Sequence, residues 1–131
     1  MKYLLDTNTV SYYLRGSAAT VKHIQSQKPS ALAISAITAM ELTYGMEKRQ
    51  SMTLTTAVQG FLAGVRVMPF DHDAAMRAGV VRAALERVGI TLSLADSQIA
   101  GHALSLDLTL VSTDTAFKRV HGLTVKDWSK G

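Results

Sequence analysis

Four short apolar runs, YLLD (3–6), LAIS (32–35), VRVMPF (65–70) and LTLVS (108–112), are separated by much longer stretches of helical pattern. This alternation constrains the fold more than any other feature of the chain. A fifth, weaker run is LTV (123–125). The helical stretches cover about 8–27, broken near Gly16, then 36–63, read as one or two helices, then 71–88 and 94–106. Strands joined by helices pair in parallel, and a parallel sheet needs cover on both faces. The expectation is a three-layer α/β/α sandwich around a central, mostly parallel sheet of four to five strands, in a single domain over 1–131. No apolar run approaches the ~20 residues of a membrane span. The N-terminus carries no signal-peptide pattern. With no cysteine there is no disulfide framework and no thiolate chemistry, which fits a cytoplasmic location.

In open α/β sheets, sites lie beyond the carboxyl ends of the strands. Asp6 ends the first run and Asp114 follows the fourth, so neighbouring strands would bring both to one edge. Two more acids sit on helices. Ile37, Glu41, Tyr44 and Lys48 share a helical face beside Met40, which puts Glu41 on, or at the edge of, a stripe expected to be buried. Asp96 shares a face with Ile99, Ala100 and Ala103. A buried carboxylate is costly unless it is paired, hydrogen-bonded or bound to a cation. Each acid also has a local explanation. Asp6 is placed to cap a helix, and Asp114 to cap the TAFKRV turn. Thr38 with Glu41 fits a capping box, and Ser93 with Asp96 a weaker one.

The joint placement on four segments goes beyond capping. Converging carboxylates repel one another, which raises their pKa values or calls for a cation. An all-oxygen set suits Mg²⁺, with Mn²⁺ able to substitute. No cysteine, and no histidine pair at ligand spacing, supports zinc. The net charge of +4 and a pI near 9.6 admit a polyanionic partner, although the bases are scattered. Carboxylate-held divalent ions beside a basic surface suggest phosphodiester chemistry, in which a metal-activated water attacks phosphorus.

Four segments then resemble one known family. LLDTN (4–8) is similar to its opening strand and first acid. ISAITAMELTYGMEK (34–48) is similar to its Ser…Thr…Glu-Leu…Tyr-Gly helix, and ADSQIAGHAL (95–104) to its Asp-x-x-Ile-Ala-x-His-Ala signature. STDTAFKRVHGLTVKDW (112–128) is similar to its closing Thr-Asn-Asp-x-x-Phe…Gly-Leu…Trp segment. In this order and length they resemble a PIN-domain ribonuclease of the VapC toxin group. The resemblance implies that Asp6, Glu41, Asp96 and Asp114 are the Mg²⁺ ligands and catalytic acids of an endoribonuclease. It implies a structured RNA target, tRNA ahead of rRNA, a VapB-type antitoxin and a homodimer, and in-line attack by a metal-bound hydroxide would leave a 5′-phosphate. The chain departs from the family pattern at Thr113, where Asn is common, and at SLAD (93–96), which lacks the usual Pro.

Thr7 and Asn8 beside Asp6, and Thr113 beside Asp114, are candidates to hold a water or fix a carboxylate rotamer, although Thr and Asn also favour helix starts. Arg15, Lys48 and Arg49 are candidates to grip RNA phosphates, although basic residues also favour the last turn of any helix. His102 offers a rival chemistry, a metal-independent ribonuclease, but in an Ala-rich helix it reads better as a packed, hydrogen-bonded histidine. The remaining alternative is an RNA-binding module with an inactive site.

Overall fold

In the computed structural model, which describes residues 1–131, five parallel strands form one sheet. They are β1 (Tyr3–Leu5), β2 (Leu32–Ser35), β3 (Arg66–Met68), β4 (Thr109–Val111) and β5 (Val125–Lys126), in the order β3-β2-β1-β4-β5. The helices are α1 (Thr7–Leu14), α2 (Ala18–Gln25), α3 (Ala36–Arg49), α4 (Met52–Gly64), α5 (His72–Arg87) and α6 (Leu94–Leu106). They cover both faces of the sheet, and the three-layer sandwich expected from the alternation is the fold that forms.

Side chains along a strand point alternately to opposite faces. Leu4 therefore joins Ala33, Leu110, Ile99, Ala103 and Phe117 in a core beneath α5 and α6. Tyr3 and Leu5 join Ile34, Val10, Leu42 and Val58 in a second core beneath α1, α3 and α4. None of the helices is long and apolar enough to cross a membrane. The C-terminus is tied down by Trp128, whose ring meets Tyr3 edge-on at 4.8 Å and stacks on His23 at 5.5 Å.

One boundary left open by the sequence reading is decided by the structure, and two others move. The pattern over 36–63 divides into two helices because Gln50 takes a left-handed conformation (φ 53°) and ends α3. β3 stops at Met68, since Pro69 has no N–H to donate to the ladder. The fifth strand is 125–126 rather than 123–125; Leu123 instead packs against the first core. α5 and α6 approach closely at Gly101, where a Cβ would lie 2.3 Å from the Ala78 amide nitrogen.

Candidate active site

β1 and β4 pair directly, with Leu5 opposite Val111, so the chain leaves both strands at the same edge of the sheet. Asp6 follows β1 and is only 3% exposed. Its Oδ1 accepts the Thr9 N–H at 2.8 Å, so the capping reading of Asp6 holds. Burial pushes the Asp6 carboxyl above its ordinary value; bonds from Ser112 and Thr9 oppose the shift, and the charge of Asp114 adds to it. Asp114 is exposed and caps the 3₁₀ turn Thr115–Arg119, accepting the Ala116 N–H at 2.9 Å. Ser112, the first residue past β4, also accepts the Asp114 N–H at 3.0 Å.

Asp96 sits in the first turn of α6 and is half-buried. Ser93 caps that helix by accepting the Asp96 N–H at 3.1 Å. Burial raises the Asp96 carboxyl above its ordinary value. A bond from Ser93 lowers it, and the charges of Asp114, Asp6 and Glu41 raise it further. Carboxylates from four separate segments thus act on one another across the edge of the sheet.

Glu41 lies at the edge of a buried stripe, one of its two expected placements, but the stripe is made of other residues. The buried stripe of α3 is Thr38, Leu42 and Met46, while Met40 and Tyr44 are exposed, so Glu41 lies at the stripe's edge and is half-buried. The Thr38–Glu41 capping box does not form. Ser35 is the cap, accepting the Ile37 N–H at 3.1 Å, which leaves Thr38 inside the helix. Glu41 is instead held from α1: the Thr7 hydroxyl donates to Glu41 Oε1 at 2.6 Å, with Thr38 Oγ1 3.1 Å away.

Thr7 therefore braces Glu41 rather than Asp6. Asn8 is exposed on the first turn of α1. Of the pair after β4, Ser112 and not Thr113 bonds to the acids, as the alternation of side chains along a strand requires. Sequence reasoning missed Thr9, although its position three residues after a capping Asp is a recognisable signal. Arg15 and Arg49 line a cleft of about 480 Å³ that also contains Thr7, Ser11 and Glu41. Arg15 packs over the Tyr12 ring at 5.0 Å. Lys48 stands outside the cleft, its Nζ 5.6 Å from the centre of the Tyr44 ring. His102 is 1% exposed and bonds to Ser35, so it is the packed, hydrogen-bonded histidine that its Ala-rich helix suggests. A ring this buried offers no base to an RNA 2′-hydroxyl.

The donor chemistry fits a hard divalent cation: the four candidate ligands are carboxylates, and burial, with like charge behind it, raises two of them. No three acidic or histidine side chains stand close enough to share one ion directly, so a cation here would keep part of its water shell.

A PIN-domain family model matches residues 3–123. The chain is 38% identical over 131 residues to the tRNA(fMet)-specific endonuclease VapC of Shigella flexneri, covering 98% of this chain and 99% of that protein. It is 32% identical to ribonuclease VapC2 of Haemophilus influenzae, covering 98% of each. Among solved structures, DNA-bound VapBC from Salmonella typhimurium superposes with a TM-score of 0.87 at 35% identity, covering 98% of each chain. VapBC2 from Rickettsia felis, bound to a DNA fragment from its promoter, also gives 0.87, at 27% identity over 98% of this chain and 99% of that one.

Proposed function

The chain belongs to the PIN-domain family, and from that premise we propose that it is a VapC-type toxin, a Mg²⁺-dependent endoribonuclease acting on structured RNA. The observation that carries the reading is that the chain brings Asp6, Glu41, Asp96 and Asp114 from four segments to one edge of the sheet, where burial first and like charge second raise the Asp6 and Asp96 carboxyls. Asp6, Glu41, Asp96 and Asp114 would hold the cation, some of them through water, and it would supply charge neutralisation at the phosphate and a water acidified for attack on phosphorus. The chain's own residues do the positioning. Ser112 and the Thr9 amide fix the Asp6 carboxylate, Ser93 fixes the turn bearing Asp96, and Thr7 braces Glu41.

Arg15 and Arg49, on the walls of the cleft beside Glu41, take up backbone phosphates of the RNA. The basic surface supports this: of 14 lysines and arginines, only Arg82 forms an ion pair, with Glu86. tRNA is the favoured substrate because the Shigella and Salmonella relatives carry the name tRNA(fMet)-specific endonuclease. A VapB-type antitoxin is the expected partner, since similar solved structures are VapBC complexes. A homodimer belongs to the same reading. Exposed Met40 and Tyr44 on α3 and Met52 on α4 offer apolar surface for it.

The test is incubation of the purified protein with total tRNA and with rRNA, in Mg²⁺ and then in EDTA, with both ends of every fragment mapped. Cleavage should require Mg²⁺ and leave a 5′-phosphate and a 3′-hydroxyl. Cleavage that persists in EDTA and leaves a cyclic phosphate would overturn the metal reading. Retention of RNA with no cleavage would make the protein a binding module.

A further inference from the structure

His102 is buried on the inner side of α6 and takes no part in the chemistry above. Its Nδ1 lies 2.7 Å from Ser35 Oγ. Ser35 is itself fully buried, ends β2, and caps α3 by accepting the Ile37 N–H. The Pro69 carbonyl also bonds to the imidazole, and Phe70 packs edge-on at 5.4 Å. One assignment of protons satisfies all of these bonds. Ser35 Oγ accepts from Ile37 and gives its own proton to Nδ1, which leaves Nε2–H for the Pro69 carbonyl. Burial lowers the imidazole pKa, against the charge of Asp71 and the Pro69 bond, so the ring is neutral near pH 7 and able to accept at Nδ1.

We propose that His102 is a positioning residue: through Ser35 it fixes the helix bearing Glu41 against the helix bearing Asp96. The inference rests on the reading of those two acids as cation ligands. Ser35 lies six residues before Glu41, and His102 six residues after Asp96. Each acid is thus about 9 Å along a helix from the same contact. A tilt of α3 about that contact by ~5° would move Glu41 by ~0.8 Å, more than the ~0.5 Å tolerance of a preorganised site. Thr7 supports Glu41 from α1, but only the His102–Ser35 bond ties α3 to α6 by side-chain hydrogen bonding.

The experiment titrates Mn²⁺ into the full chain by calorimetry, with melting curves as a check on folding. His102→Asn keeps a polar group near the Nδ1 position and so keeps the bond to Ser35. His102→Gln keeps one near Nε2 and loses that bond. Ser35→Ala removes one hydroxyl and guards against a histidine variant that does not fold. His102→Gln and Ser35→Ala should bind Mn²⁺ roughly tenfold more weakly than the parent, the loss that follows removal of an outer support of a metal site. His102→Asn should bind within about twofold of it. Parent-like affinity in both weakened variants would overturn the proposal, as would equal losses in the Asn and Gln variants, which would mean packing alone. No Mn²⁺ binding by the parent would instead remove the acids as ligands, and the proposal with them.

Discussion

Asp96→Asn should lower RNA cleavage by at least ~10²–10³-fold, the scale of removing one preorganised electrostatic group, and should also raise the melting temperature of the metal-free protein at pH 7. The second effect separates this acid from an ordinary structural one. Burial and the charges of Asp114, Asp6 and Glu41 raise the folded-state pKa of Asp96 above its ordinary 3.8. A raised folded pKa means that the fold prefers the protonated carboxyl. The stability this contributes is complete below pH 3.8 and is lost as the pH rises through the folded value. Asparagine never ionises and escapes that loss. The gain over the parent should therefore be present at neutral pH and disappear below about pH 3.8. Saturating Mg²⁺ should reverse the order by stabilising the parent and not the variant. Thermal melts across pH, with and without Mg²⁺, read all three effects. Unchanged cleavage by a folded variant would remove Asp96 from the site.

Gly101→Ala should lower stability by about 3 kcal/mol, near the upper end of what overpacking a core costs. For a chain of this size that is a fall of roughly 10 °C in melting temperature. Alanine is the better helix former by ~1 kcal/mol, so propensity alone predicts the opposite sign. Packing decides the matter. The new methyl would stand 2.3 Å from Ala78 N, 2.5 Å from Ala78 Cα and 2.9 Å from Ala78 Cβ. Two of those atoms are helix backbone and cannot swing aside. α6 would have to move away from α5, carrying Asp96 and His102 with it. Gly79, on the outer side of α5, has no heavy atom within 4 Å of an added Cβ, so Gly79→Ala should be neutral or stabilising. Paired melts of the two variants test the contrast, and a neutral Gly101→Ala would show that the α5–α6 contact is looser than described.

Sequence period carried the architecture because β1, β2 and β4 are short, largely apolar and run into a polar residue, Asp6, Ser35 and Ser112. It also carried Asp96, whose companions Ile99, Ala100 and Ala103 are all buried. It misjudged the stripe around Glu41, because Tyr44 and Met40 are large and apolar yet exposed, and the buried position that decides the face is Thr38. Amphipathic reasoning gives a threonine little weight. The brace from Thr7 to Glu41 spans 34 residues, and the bond from Ser35 to His102 spans 67. Contacts of that range depend on how α1, α3 and α6 pack, and no local pattern encodes it. Ser112 was separable from Thr113 in principle. Knowing that Val111 faces the core beneath α1 fixes which of the next two side chains turns toward Asp6.

The central claim is that these acids hold one hydrolytic cation site, and it is tested most directly by an anomalous difference map from crystals soaked in Mn²⁺. The account predicts a peak at the carboxyl edge of the sheet, with Asp6 and Asp96 as its nearest protein ligands and Glu41 within reach through water. Strong Mn²⁺ peaks elsewhere, with none among Asp6, Glu41, Asp96 and Asp114, would contradict it.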